Sequence, residues 1–490
     1  MSTTTQLLDQ SQGMNVSDKL QRFAMLPDWL RAIADPDRMR TAFAQGIPEF
    51  ASGALTLQDC DVKRVRNKKY RWTAMYQLTI AGMPQEVKLR GTLIPPGQPE
   101  PERTTPTVEL GVEGWRCYLP GLRLDLESQP PDEALPSLPR LTDPAAAREL
   151  LEQSIRAGSP AYHDLQIQSC TPNIMRYKPG SRCTILYRLE YADNQAASHD
   201  WPDIVVAKTY QGDKGQIAYD GMRALWDSAF AKSSNVTIAE PLAFVPELNV
   251  LVQGPIREEQ TLKEMIGSAL RAGTPTALDE LNHYMRMTAV ALAEMHRCDI
   301  GIGELRTWED ELAEVHELDD RLAAVIPELR GAAEPLLAGL EAIAAENPAD
   351  PPVPTHGTFR PAQVLIHKGQ IGFIDFDGFC QAEPALDLAL FLGKIRDIGL
   401  SAKDDDDEDI EASDRESLLA SLAEMEAICE VFLAEYERHM PVSRTRIALW
   451  EALDLFTLVQ HCWTKVKPVR LNTNMLLLER HLQVSGMLPA

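Results

Sequence analysis

The sequence predicts an α+β fold with its sheets first and its helices last. Two observations lead there. Segments between about 41 and 261 alternate apolar and polar residues with the period of half-buried antiparallel strands, whereas from Leu262 onward apolar residues recur at helical spacing. A chain of 490 residues, 44% of them hydrophobic, is also long enough to bury two or more cores.

Taken in order, residues 1–40 read as a polar leader followed by short amphipathic helices (KLQRFAMLPDWLRAIAD). Residues 41–145 hold a first set of strand signals: FAQGIPEF, LTLQDC ending at Cys60, KYRWTAMYQLTI and EVKLRGTLIPP. A similar set follows as IRAGSPAY, LQIQSC ending at Cys170, PGSRCTILYRLEY and DIVVAKTY. In both, a Gly-x-Pro precedes the cysteine and a Tyr-x-Leu (Tyr76/Leu78, Tyr187/Leu189) follows it by 16 or 17 residues, which points to a degenerate duplication. Between the copies, LESQPPDEALPSLPRLTDP carries five prolines and reads as a linker, with a boundary near 145. The second sheet occupies 146–261, and 262–490 is mostly helix: LKEMIGSALRAG, LNHYMRMTAVALAEMHR, the alanine-rich stretch 309–346, and 414–490. The acidic run Asp404–Asp409 reads as a solvated loop, because neighbouring carboxylates of a loose chain do not converge on one ion.

Composition narrows the partners. A net charge of −24 with pI near 4.9 argues against a phosphate-backbone binder, so no nucleic acid is expected. The start of the chain has no basic and apolar targeting pattern, and no stretch approaches the length of a membrane span, so a cytoplasmic protein without a membrane partner is expected. The eight cysteines are scattered without a Cys-x-x-Cys pair and read as reduced core thiols.

The chemistry lies in PTHGTFRPAQVLIHKGQIGFIDFDGF, from Pro354 to Phe379. Gly357 and Pro361 interrupt the helical surroundings, and two apolar runs, 364–366 and 371–374, flank Lys368-Gly369 as a small hairpin that sets Asp375 at a strand end. The order His356-Gly357-Thr358, four residues, Gln363, hairpin, Ile374-Asp375 resembles the aminoglycoside/choline kinase-like small-molecule phosphotransferases, whose loop is His-Gly-Asp-x-x-x-x-Asn followed by a hairpin and Ile-Asp. Downstream, Glu383-Pro384-Ala385 and Asp387-Leu388-Ala389 resemble that family's Asp-Pro-Ala-x-Asp-Leu-Ala element, in which the aspartate braces the catalytic loop. The similarity is strongest over about 35 contiguous residues and extends more loosely from about 150 to 490.

The resemblance implies a protein-kinase-like bilobal fold, with a small antiparallel-sheet N-lobe and a mainly helical C-lobe, preceded here by a degenerate duplicate of the N-lobe sheet. It implies ATP and Mg²⁺ as cofactors. Lys208 in IVVAKTY would be the nucleotide lysine, and the turn Lys178-Pro179-Gly180-Ser181 would cover the phosphates. Asp220 would orient that lysine, and LVQGPIREEQTL (251–262) would be the hinge beside adenine. Asp375 and Gln363 would hold metal, with Asp377 as a further ligand or base, and His356, Thr358 and Asp375 would form the catalytic set. His296 reads as a packed helix residue.

One position departs from the pattern. Thr358 stands where the family carries its catalytic aspartate, and a hydroxyl does not become a base near neutral pH. Gln363 keeps the carbonyl oxygen of the family's asparagine one methylene further out. Loss of general-base help costs about 10²–10⁴ in rate, and phosphoryl transfer through a loose transition state survives it in part. Two expectations follow. One is ATP-dependent phosphotransfer, impaired by Thr358 in place of the catalytic aspartate, to a hydroxyl of a small metabolite, sugar or glycoconjugate. The other is a pseudokinase that binds nucleotide or a partner protein. The first copy carries Lys88 and Arg90 near the lysine position but no catalytic lobe after it, which suggests a docking or regulatory sheet.

Overall fold

The computed structural model describes residues 16–68, 70–101, 106–128, 134–192, 201–401 and 415–488. The acidic run at 404–409 lies outside the described residues. Two compact units are present, one of Met1–Pro131, Glu309–Glu346 and Ala452–Ala490, the other of Asp132–Trp308 and Asn347–Glu451. The residues after 261, read from the sequence as one helical lobe, are divided between the two units. Helical periodicity shows that a helix has an apolar face but not which sheet covers it. In the first unit the indole nitrogen of Trp72 donates to the carbonyl of Trp463 (2.9 Å) and that of Trp463 to the carbonyl of Phe23 (3.0 Å), fixing the late helix in the early core.

The first unit holds a five-stranded antiparallel sheet: β1 (Leu57–Lys68), β2 (Arg71–Ile80), β3 (Val87–Leu93), β4 (Arg116–Leu119) and β5 (Leu124–Ser128), in spatial order β1-β2-β3-β5-β4. The second unit repeats that order with β6 (Ser169–Lys178), β7 (Arg182–Glu190), β8 (Ile204–Tyr210), β10 (Pro241–Val245) and β11 (Val250–Gln253), arranged β6-β7-β8-β11-β10; the short β9 (Thr237–Ile238) joins another sheet. Each sheet is preceded by a helix with an Asp-Pro start. Asp35 caps Pro36–Gly46 and Asp143 caps Pro144–Gly158, each carboxylate accepting from the backbone N–H three residues on, with proline at the first helical position where no donor is needed. Two residues before each cap lies the carbonyl that accepts the buried tyrosine of the middle strand: Tyr76 to Ile33 at 3.0 Å and Tyr187 to Leu141 at 2.7 Å. The duplication read from Cys and Tyr spacing therefore extends to topology, cap and tie.

The register also corrects one expectation. Tyr76 pairs with Leu89 and Tyr187 with Val205, so Thr92, three residues on, is the counterpart of Lys208. Lys88 and Arg90 do not occupy that position, and Arg90 instead pairs with Glu127 on the surface of its own sheet. The proline-rich stretch is not a free linker where it is described: Leu138–Thr142 is a helical turn, and Leu135 and Leu141 are buried in the second unit's core beside Leu151, Ile155 and Tyr187.

In the first unit, Asp319 is buried with one carboxylate oxygen unpartnered, and the side-chain oxygen of Gln460, also buried, lacks a partner. Burial, with Asp320 beside it, pushes the Asp319 carboxyl up to about 6. A raised carboxyl stabilises the fold below its unfolded value and loses that contribution as pH rises through about 6. Asp319→Asn is therefore expected to raise unfolding stability by about 1–3 kcal/mol at pH 7.5, the gain fading toward pH 4. Urea titrations at the two pH values check it.

In the second unit, alternation along β8 sends Val205 and Ala207 into the core with Leu150, Leu151 and Ile155, which leaves Lys208 and Tyr210 on the other face. Below this sheet lie β12 (Gln260–Thr261), β13 (Val353–Thr355), β14 (Val364–His367), β15 (Gln370–Phe373) and β16 (Cys380–Ala382), forming a four-stranded sheet β12-β14-β15-β9 and a pair β13-β16. Helices Leu262–Ala272, Pro275–His296, Ala385–Ser401 and Arg415–His439 make up the helical part. The first starts with a reciprocal capping box between Thr261 and Glu264. This is the α+β, sheet-then-helix architecture expected. Among the described residues no helix is long and apolar enough to cross a membrane. All eight cysteines are free, and burial pushes Cys60 and Cys429 up to about 12, as inert core thiols require.

Candidate active site

The site assembles where β7 and β8 meet the catalytic hairpin. Strand register places Arg182 opposite Tyr210, and Tyr210 two residues from Lys208, so all three share one face. Arg182 is delivered there by the turn before it, in which Gly180 takes φ +65° and Ser181 N–H donates to Lys178 O at 3.1 Å. Lys178, Gly180 and Ser181 thus form the hairpin tip beside the cleft. Lys208, 9% exposed, donates to Asp375 Oδ1 at 2.7 Å and lies 3.5 Å from Asp377 Oδ1.

The hairpin that carries these carboxylates turns at Lys368-Gly369, both at positive φ (49° and 78°), the geometry that matches strand twist in a two-residue turn. At its end Asp375 is itself left-handed, φ 72°, a strained state for a non-glycine residue that clusters at functional sites. This kink buries Phe376 against the His356 ring (4.7 Å) and brings Asp377 back to the same cations. Asp377 accepts from Arg182 and, at 2.7 Å, from the Tyr210 hydroxyl.

Electrostatics follow from this packing. Burial pushes the Asp375 carboxyl up, but Lys208 and then Arg182 overcome it and hold it well below the usual carboxylate range. Burial and the Asp377 charge push the Tyr210 phenol well above its usual value. Two cations and two carboxylates therefore face each other as a neutral quartet.

The catalytic loop is held from beneath. Asp387, fully buried, accepts from His356 N (2.6 Å) and Gly357 N (2.9 Å), and its Oδ2 lies 3.2 Å from His296 Nε2. Tyr436 Oη lies 2.8 Å from the other nitrogen of His296. His296 is thus packed, as expected, and also links the brace to the helix behind it. Gly357 takes φ 72°, and a Cβ there would fall 1.9 Å from Gly378 O, so only glycine fits between Asp387 and the hairpin end. His356 Nε2 donates to Ile374 O (2.9 Å), which leaves Nδ1 as the acceptor, 3.5 Å from Thr358 Oγ1. Gln363 Nε2 lies 3.4 Å from Thr358 Oγ1 and 3.3 Å from Asp375 Oδ2.

The donor set suits a hard cation. Gln363 Oε1 is buried with no hydrogen-bond partner, and exchanging the amide's N and O would set that oxygen beside Asp375 Oδ2. Among the described residues no group of three or more His, Cys, Asp or Glu surrounds a common metal position.

The sequence-derived residues Lys208, Asp375, Asp377, Gln363, Thr358 and His356 converge. Asp220 does not: its carboxylate accepts from Gln216 at 2.8 Å on its own helix, and Lys208 is oriented by Asp375 and Asp377 instead. The spacing found the helix but could not show which of its faces meets the cleft. Arg182 and Tyr210 were missed; their signal was the strand register that sets them on the Lys208 face.

The model of the phosphotransferase enzyme family (APH) matches residues 256–444. That segment carries the phosphotransferase family's pattern. It includes the stretch from His356 to Ala389 that carries the resemblance. No curated protein matches the chain in sequence. Among solved structures, a glucosamine kinase is 12% identical with TM-score 0.43, covering 88% of this chain and 95% of that one. A choline kinase from Cryptosporidium parvum Iowa II is 12% identical with TM-score 0.43, covering 70% and 98%. An aminoglycoside phosphotransferase from Streptomyces rimosus ATCC10970 is 17% identical with TM-score 0.34, covering 58% and 91%.

Proposed function

We propose that this protein transfers the γ-phosphate of ATP to a hydroxyl of a small molecule. The observation that carries the reading is the convergence of Lys208, Asp375 and the unpartnered Gln363 oxygen at the end of the catalytic hairpin. Lys208 pairs with nucleotide phosphate, and Arg182, reaching in from the hairpin tip, supplies a second phosphate cation. Asp375 and Gln363 would hold Mg²⁺. Mg²⁺ supplies charge neutralisation across the phosphates. Because the quartet is already balanced, a polyanionic nucleotide is favoured only together with a divalent cation. Leu365 lines a pocket with Ile256, Thr237 and Gly372 and offers an apolar floor for adenine. Free thiols suit a reducing compartment, and we place the reaction in the cytoplasm.

Thr358 supports a second reading, a nucleotide-binding scaffold without transfer. ADP release from Mg·ATP, measured with amino sugars, polyols and amino alcohols as acceptors, separates the two. Acceptor-dependent release lost in Lys208→Ala is expected of the enzyme. Release no faster than with water for every acceptor, with nucleotide still bound, would favour the scaffold.

A further inference from the structure

The Thr358 substitution removes a carboxylate, but it does not leave the acceptor without a route for its proton. His356 Nε2 is committed as a donor to Ile374 O, so Nδ1 carries the lone pair, and that lone pair faces Thr358 Oγ1. Gln363 Nε2 lies on the other side of the same oxygen and donates to it, which turns the threonine's own hydrogen toward Nδ1. The chain Gln363, Thr358, His356, Ile374 thus has one polarity throughout. Of its three polar side chains Thr358 is the partly exposed one, while Gln363 is buried and His356 is fully buried between Phe376 and Phe359.

We propose that Thr358 and His356 form a proton relay that replaces the family's catalytic aspartate, a reading that rests on the phosphotransferase function above. As the acceptor oxygen bonds to the γ-phosphorus, the bond from that phosphorus to the β,γ-bridging oxygen breaks and ADP leaves with the electron pair. The acceptor's hydrogen passes to Thr358 Oγ1 while the threonine's own hydrogen passes to His356 Nδ1. His356 is then protonated on both nitrogens, and the proton returns by the same path to solvent after product leaves. If Gln363 turns its oxygen to a metal, it withdraws its donor from Thr358 and frees a lone pair for the incoming hydroxyl. Burial lowers the His356 basicity, whereas the charges of Asp387, Asp375 and Asp377 favour its protonated form. The imidazole is therefore a neutral acceptor at rest whose transient charge is stabilised by three carboxylates. Thr358 touches the substrate. His356 acts through it as a positioning and relay residue.

The test uses Mg·ATP with water as acceptor, read as ADP release by the full chain. Thr358→Val is expected to lower kcat about 10²-fold with KM for ATP unchanged, since its methyl groups fill the same space without a hydroxyl. His356→Gln, whose Nε2 keeps the bond to Ile374 O but which lacks Nδ1, is expected to lose as much. The double variant is expected to lose no more than either alone. Thr358→Asp in the His356→Gln background is expected to restore turnover, because a carboxylate needs no relay; a purely structural histidine would not be bypassed in this way. Undiminished hydrolysis by Thr358→Val, with Mg·ATP still raising its Tm, would overturn the relay alone. No Mg·ATP-dependent rise in Tm for the wild-type chain would overturn the phosphotransferase reading and the relay with it.

Discussion

Asp375→Ala is expected to lower phosphotransfer by about 10³-fold and to make ATP affinity insensitive to Mg²⁺. The carboxylate sits at the kinked end of the hairpin with Lys208 2.7 Å away and the Gln363 amide 3.3 Å away, so it touches both the cation and the amide on which the proposed site rests. Without it the quartet keeps Lys208 and Arg182 against Asp377 alone, a net positive site. Free ATP would then bind as well as, or better than, its Mg²⁺ complex. Titrations of ATP with and without Mg²⁺ into wild type and variant read this directly. A variant that retained the wild-type Mg²⁺ dependence would show that Asp375 does not hold the metal.

The largest stability effect is expected at Asp387. Its two oxygens accept from His356 N and Gly357 N and face His296 Nε2 in a fully buried setting. In Asp387→Asn the amide must point its NH₂ at one of those N–H groups whichever way it turns, which leaves a buried donor unmet. A loss of about 3–5 kcal/mol follows, seen as a fall in Tm of roughly 5–15 °C. Hydrogen exchange at His356 and Gly357 should accelerate more than in the β7–β8 core. A change of under 1 kcal/mol would mean that the loop is held by its backbone rather than by this carboxylate.

The parts of this molecule that were legible in the sequence are those whose evidence is contiguous or periodic. His356 to Asp375 is a single loop and hairpin, so one contiguous stretch carried the family resemblance that placed Thr358, Gln363 and Asp375 together. Lys208 stood out as a charge ending an apolar run. The two sheets announced themselves through Cys60, Cys170, Tyr76 and Tyr187, although their shared Asp-Pro caps and tyrosine ties went unread. What stayed hidden depends on which surfaces meet. Asp220 lies on the helix after β8, but its rotation turns the carboxylate along the helix to Gln216. Arg182 is one of many arginines until strand register sets it opposite Tyr210. Helices in 309–346 and 452–484 pack with the first unit, and nothing in their amphipathic pattern names the sheet they cover.

This cleft is expected to bind nucleotide through Lys208 and a metal-linked Asp375. Isothermal titration of Mg·ATP into the 490-residue chain at pH 7.5, beside Lys208→Ala, reads that binding. One Mg·ATP per chain, weakened at least tenfold in the variant, is the predicted result, and tenfold corresponds to about 1.4 kcal/mol. No binding by the wild-type chain at millimolar Mg·ATP, or equal affinity in the variant, would contradict it.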